Sequence, residues 1–304
     1  MQKQTKGPYS YSSPRYISFL TITLNTIRTS GIPLYSSEYS RRDYTQHQLL
    51  AILLLKTYIK AGYRDILDKI EAMDAIRSQM KLTRIPHHTT LYRFFTRFDS
   101  KSFHRVFRTV LSLFYRSRER IPVVAIDSTG FRTSHFSLYY SIRTGNVRKD
   151  FLKVSLAVDT NKKTILHFKI SKSRHHDSAH AKHLLRGSYR IKRAQWYVMD
   201  RAYDAESIHQ HVRQDLHASS LIPLRDWGAD YVSGRYRSLM KTSFDQTLYH
   251  QRNLVETVFS VLKRRFGDEV RAFKYVNQVR ELKLKCLVYS IDRFLKSQRI
   301  FLEG

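Results

Sequence analysis

One cysteine, Cys286, occurs in 304 residues. That excludes an internal disulfide and a cysteine-rich zinc site, and nothing in the chain points to secretion. Cys286 stands in an apolar helical context and reads as a small buried residue. Acidic residues are also scarce: 25 Asp and Glu against 54 Lys and Arg, a formal charge of +29. The excess is spread along the chain rather than held in one tail. Such a surface attracts polyanions strongly and without sequence preference. A membrane-length apolar run is missing. The stretch 16–24 is too short to cross a bilayer, is interrupted by Ser and Thr, and lacks the cleavage pattern of a signal peptide. Aromatic residues, by contrast, are plentiful: 20 Tyr and 17 Phe, more than a disordered basic protein carries. A chain of this length can bury one large or two modest cores. The 14 histidines are scattered, and the densest group, His175, His176 and His180, fits a solvated loop at least as well as a metal site.

The composition changes along the chain. Residues 1–37 read as a basic polar tail, with one short helix or strand near Ile17–Ile27 and a role as a DNA-binding arm or a leader left open. Residues 38–120 read as all-helical. Leu49, Leu50, Leu53, Leu54 and Ile59 give Gln46–Ala61 a wide apolar face, and Asp65–Met80 is a second helix before Pro86. Thr89 and Thr90 then cap a short helix with Arg93 and Arg97 one turn apart, and Ser102–Arg118 follows. Compact helices with a cationic later helix suit a helix-turn-helix-like DNA module better than a bundle that merely covers the next domain. Past Pro122 the pattern becomes α/β across 121–304. Val123–Asp127 is a continuous apolar run, as in a strand buried on both faces. Phe151–Asp159 alternates, Asp159–Lys163 is a turn, and Thr164–Ile170 completes a meander. Asp177 caps a helix over Ser178–Arg186. A strand Ala194–Asp200, a helix Ala205–Asp215, a fifth strand Ala218–Leu224 and a polar loop over 226–248 come next.

Tyr249–Lys263 predicts a helix. At about 100° per residue, Tyr249, Arg252, Glu256 and Lys263 share one narrow stripe. Val255, Val258, Phe259, Leu262 and Phe266 form the adjoining core face. Lys263 lies about 10 Å along the axis from Glu256. One carboxylate among cations suits a metal beside a phosphate strand, although an ordinary salt-bridged amphipathic helix gives the same pattern. Asp127 and Asp200 each end a strand, and strand ends converge on a crevice. With Glu256 they make three carboxylates that cannot all stay charged without a cation. Oxygen ligands without sulfur favour Mg²⁺ or Mn²⁺, and a pair of such ions serves in-line phosphoryl transfer.

These residues resemble the prokaryotic DDE insertion-sequence transposases with the tyrosine–arginine–glutamate–lysine signature, Y-x2-R-x3-E-x6-K. Tyr249, Arg252, Glu256 and Lys263 meet every spacing. Ala-Ile-Asp127-Ser-Thr and Met-Asp200-Arg-Ala-Tyr203 are similar to the family's two aspartate motifs, and Tyr139–Asp159, with its Arg-Thr-Gly turn and Lys153, is similar as well. Arg201-Ala202 stands where many relatives have a glycine, and 226–248 is too short for a large all-β insertion. The resemblance covers roughly 38–295. It implies a ribonuclease-H-like core with a mixed five-stranded sheet, preceded by the helical domain. It implies that Asp127, Asp200 and Glu256 hold two Mg²⁺ ions, with Mn²⁺ able to substitute. Arg252 and Lys263 would hold phosphates, and Tyr249 the terminal nucleotide. Arg93, Arg97, Lys153 and Trp227 are further candidate DNA contacts. The implied partners are double-stranded DNA, as terminal inverted repeats and as target, and a second copy of the chain in the DNA complex. The implied setting is the prokaryotic cytoplasm, in association with the nucleoid. Two rivals share these features: a transposase-derived DNA-binding protein without catalysis, and a ribonuclease-H-like nuclease that cuts without joining.

Overall fold

The structure is a computed structural model that describes residues 14–116, 119–133, 143, 151–172, 178–225 and 231–303. The chain divides into two compact units, one formed by 1–114 with 283–304 and the other by 115–282.

The first unit is helical. It contains α1 (Arg15–Thr29), α2 (Gln46–Tyr58), α3 (Tyr63–Ala72), α4 (Asp74–Gln79), α5 (His88–Arg97) and α6 (Ser100–Ser112). Residues 15–29 lie within the expected polar tail, yet they form a four-turn helix that buries Phe19, Leu20, Ile22, Leu24 and Ile27. Thr23 and Thr26 are buried with them, because their hydroxyls donate to the carbonyls of Phe19 and Ile22 at 2.8 and 2.7 Å. A threonine that satisfies itself on its own helix can enter a core. Helix α2 starts at a capping box, with Thr45 and Gln48 each bonding the other's backbone N–H, and is buried from Leu49 through Leu55. The expected helix Asp65–Met80 breaks at Met73 into α3 and α4. Helix α5 begins at His88, with His87 at the N-cap position and no side-chain capping bond from it, so Thr89 and Thr90 lie inside its first turn rather than before it. Asp99 caps α6, which stops at Ser112.

The second unit is a mixed sheet between helices. Its elements are β1 (Ile121–Thr133), β2 (Phe151–Asp159), β3 (Thr164–Lys172), α7 (Ser178–Ile191), β4 (Ala194–Met199), α8 (Glu206–Gln210), β5 (Ser219–Leu221), α9 (Arg235–Thr242), α10 (Gln246–His250), α11 (Asn253–Phe266) and β6 (Glu269–Val270). A final helix, α12 (Tyr275–Glu303), begins in this unit and continues into the other. The strand order is β3-β2-β1-β4-β5, with β1–β2 and β2–β3 antiparallel and β1–β4 and β4–β5 parallel. The sheet has six strands where five were expected, because β6 pairs with the end of β1. Val124, Ile126, Tyr197 and Met199 share one face with Leu184 and Leu185 of α7 and Ile208 of α8. The other face of β1 packs on α11. The polar loop expected over 226–248 instead carries α9 and the start of α10.

Candidate active site

Asp127 is not the end of its strand. β1 runs six residues further, paired to β2 through Arg132 and Phe151. What ends near Asp127 is the parallel ladder to β4, whose last pair is Ile126 and Met199. Asp127 and Asp200 are the next residues on each strand, where the two strands part. That position in an open sheet makes a crevice. Asp127 Oδ1 accepts the Ser128 N–H at 2.7 Å. Asp200 opens a single 3₁₀ turn, Arg201–Tyr203, and its Oδ1 accepts the Arg201 N–H at 2.6 Å.

The glutamate comes from α11, on the same face of the sheet as Asp127. The expected unbroken helix from Tyr249 is interrupted. Tyr249 belongs to α10, and α11 starts at Asn253. Between them the bonds tighten: Arg252 N–H reaches the Tyr249 carbonyl at 2.9 Å, and Val255 N–H the Arg252 carbonyl at 3.0 Å. Such i→i+3 bonding is 3₁₀ geometry. Arg252 therefore stands at the N-terminus of α11. Its Nη1 donates to Asp127 Oδ2 at 2.8 Å and its Nη2 to Glu256 Oε1 at 2.9 Å. The guanidinium also lies 5.9 Å from the Tyr249 ring centre. Lys263, further along α11, donates to Thr129 Oγ1 at 2.7 Å, two residues past Asp127 on the same side of β1. Val255, Val258, Phe259, Leu262 and Phe266 are buried, which anchors this helix face.

Burial pushes the Asp127 carboxyl up to about 6. The Ser128 N–H and Arg252 oppose that shift, and the charges of Asp200 and Glu256 add to it. Burial works against the charge on Arg252, but Asp127, Tyr249, Glu256 and Asp200 outweigh it and raise the guanidinium. Burial likewise raises Tyr249, against Arg252 and with Asp200. Asp127 thus feels both other acids. Among the described residues no three acidic, histidine or cysteine side chains form a group that could hold a metal ion. The donor types are those of a hard divalent cation, three carboxylates and no sulfur, although they are not gathered into one ligand cluster. In the geometry described, Arg252 supplies that positive charge.

Other sequence candidates fall elsewhere. Lys153 pairs with Gly130, so by strand alternation it lies on the face of Ser128, not that of Asp127. Arg93 and Arg97 are exposed on α5 in the helical unit. Trp227, His175, His176 and Asp177 lie outside the described residues. His180 bonds Ser171 at 3.1 Å, as a structural contact between α7 and β3.

Two groups carried no role in the sequence reading. Ser128 Oγ donates to Ser155 Oγ at 2.7 Å and lies 3.1 Å from the hydroxyl of fully buried Tyr203. This triplet ties the residue after Asp127 to the turn after Asp200, and so fixes the spacing of the two aspartates. The only sequence signal was a tyrosine three residues past an aspartate. Buried Asp204 holds Arg237 through both oxygens at 2.7 and 2.8 Å and docks α9 beside that turn.

The family model described as the transposase DDE domain matches residues 118–291. An uncharacterised protein of Aquifex aeolicus (strain VF5) is 24% identical over 267 residues, covering 83% of this chain and 77% of its own. A solved piggyBac transposase synaptic complex with hairpin DNA is similar at a TM-score of 0.48 with 9% identity, over 94% of this chain and 74% of that one.

Proposed function

The chain belongs to the transposase DDE domain family, and from that premise we propose that it cleaves DNA at the ends of an insertion sequence and joins them to target DNA with divalent metal. The observation that carries the proposal is the Arg252 bridge between Asp127 and Glu256, set where β1 and β4 part beside Asp200. The strand order and the mix of antiparallel and parallel pairs support a ribonuclease-H-like reading of this unit.

Asp127, Asp200 and Glu256 would hold the metal ions. When bound, a Mg²⁺ pair would supply Lewis acidity and offset negative charge on the phosphoryl oxygens. The chain's own residues orient the DNA. Arg252 offers its guanidinium to a phosphate, which competes for it with the two carboxylates. Lys263 offers a second charge on the same helix face, and the Tyr249 ring a surface for the terminal base. The helical unit, with Arg93 and Arg97 on α5, would read the element ends, and two copies of the chain would bring the ends together. The net charge of +29 supports DNA as the partner.

The test is Mg²⁺-dependent nicking and strand transfer on labelled element ends, run beside a binding assay. Glu256→Gln keeps the size and the helix, so the protein should fold and still bind DNA. Cleavage should fall to background, as it should for Asp127→Asn and Asp200→Asn, with double variants scarcely worse. Cleavage by Glu256→Gln at near the wild-type rate would refute the assignment. Cutting without joining would select the nuclease rival.

A further inference from the structure

The helical unit contains a cleft that shares Arg93 and Arg97 with the proposed DNA-reading face but whose aromatic lining has no role above. Its volume is about 730 Å³. That is the scale of a small-molecule site, roughly 300–1,000 Å³, and far too small for a duplex. Its walls come from the segment 33–44, the start of α2, α5 and the start of α6.

The lining is aromatic below and cationic around. Phe98 is buried, and Tyr35, Tyr44 and Phe94 are half-buried. Phe94 and Phe98 lie with ring centres 5.6 Å apart. The Tyr44 hydroxyl is spent on the Ile85 carbonyl at 3.1 Å, which leaves its ring to face a ligand. The Arg42 guanidinium already sits over Tyr35, 6.0 Å from the ring centre, so that ring accepts a planar partner. Arg41, Arg93 and Arg97 line the cleft against Asp43 and Asp99. Asp99 is committed to capping α6, taking the Ser102 N–H at 2.8 Å and the Ser102 hydroxyl at 2.7 Å. The cations therefore outnumber the one acid not so engaged.

A recess of this kind cannot meet a duplex, whose bases are stacked inside and whose phosphates lie on a convex surface. It can receive a group that projects from the DNA. Aromatic rings stack on any base, and arginines pair with the attached phosphate. We propose that this cleft binds one unpaired nucleotide at a nick, overhang or frayed end, with the base among Tyr35, Tyr44 and Phe94 and the phosphate on Arg93 and Arg97. The proposal rests on DNA being the substrate of this chain.

The test uses the full chain and fluorescence anisotropy on two DNAs, a blunt duplex and the same duplex with a one-nucleotide 2-aminopurine overhang. The overhang should bind about ten times more tightly, and its fluorescence should be quenched by stacking. Tyr35→Ala should reduce that preference to less than about threefold and relieve the quenching. Its affinity for the blunt duplex should stay within about twofold, because the ring contributes no charge. Phe94→Leu, which keeps the apolar volume, should act in the same direction. Equal binding of the two DNAs by the wild type would overturn the cleft as a nucleotide site while leaving DNA as the substrate. A preference that survives both variants would place the unpaired nucleotide elsewhere and also overturn it. Failure to bind either DNA would instead sink the DNA reading itself.

Discussion

Arg252 meets two carboxylates at once, and that double duty makes it the most informative single residue. Removing it leaves Asp127 half-buried without its ion-pair partner and removes one phosphate contact from the proposed site. Lys263→Ala removes the second contact and gives up its bond to Thr129 and its place 5.6 Å from the Phe131 ring centre. Both variants should cleave element ends more slowly, by about 1–3 kcal/mol per charged contact. Both should still bind Mn²⁺ in a paramagnetic titration, because all three acids remain. Unchanged cleavage in both would remove the phosphate role. His209 tests burial instead of chemistry. It is fully buried, its Nδ1 lies 2.8 Å from Ser220 Oγ, and its Nε2 has no hydrogen-bond partner among the described residues. Burial lowers its pKa from 6.5 to about 4, with Asp204 opposing the shift. The unfolded chain therefore binds the proton first. Stability from this residue is whole above pH 6.5, erodes as pH falls towards 4, and is lost below that, on the order of 3 kcal/mol. Urea unfolding of wild type and His209→Asn at pH 7.5 and 4 should show a smaller pH dependence in the variant. Parallel losses would mean that other groups carry the effect.

At the scale of elements, α9 shows how distant residues make a helix. Glu206 accepts the N–H groups of Tyr236 and Arg237 at 3.1 and 3.0 Å, which caps the first turn. Gly234 precedes that turn at φ +100°, and a Cβ there would come within 2.4 Å of Glu206 Oε2. Gly234→Ala should thus cost about 1–3 kcal/mol by combining backbone strain with loss of the cap. Glu206→Ala should cost about 1 kcal/mol, and the double variant should cost less than the sum, since both act on one contact. Additive losses in urea melts would show that the two residues act separately. Such a helix is illegible in the sequence, where 226–248 is simply polar, because its cap and its Asp204 tether come from 30 residues away. The extension of β1 past Asp127 is hidden for a similar reason. Ser128, Thr129 and Gly130 carry no apolar signal, and their strand is held by β2. By contrast β2 has the bounds that the alternation of Leu152, Val154, Leu156 and Val158 and the Asp159–Lys163 turn predict. The core face of α11 was legible too, because five apolar residues at helical spacing leave one solution. The tightening at Arg252 was not, since nothing in its side chain marks a 3₁₀ step.

At the scale of the whole chain, the two compact units do not divide at one point in the sequence. The sequence alone suggests a helical domain to residue 120 and a catalytic domain from 121 to the end. In the structure, residues 283–304 belong to the helical unit. Within that unit, α12 contributes Leu284, Leu287, Val288, Ile291 and Leu295, all buried. Asp292, almost fully buried, accepts from Tyr58 and Arg15, each at 3.2 Å, and pairs with Lys296 at 3.4 Å. Phe114 meets Phe294 edge-on with ring centres 5.4 Å apart. The last stretch of α12 is therefore core for residues that lie as many as 277 positions earlier. Two fragments separate the alternatives. A fragment of residues 115–282 keeps every strand, the carboxylates and α11, and should unfold cooperatively. A fragment of residues 115–304 keeps all of that and adds half a core without its partner. It should bind a hydrophobic dye and associate, because five large aliphatic side chains become exposed together at about 25 cal/mol per Å² of apolar surface. Adding residues 1–114 as a separate chain should restore a monodisperse complex if the helical unit is assembled from both pieces. The measurements are light scattering, dye fluorescence and thermal melts on the same preparations. A monodisperse, dye-silent 115–304 fragment would mean that 283–304 belongs with the sheet, and the boundary near residue 120 would stand.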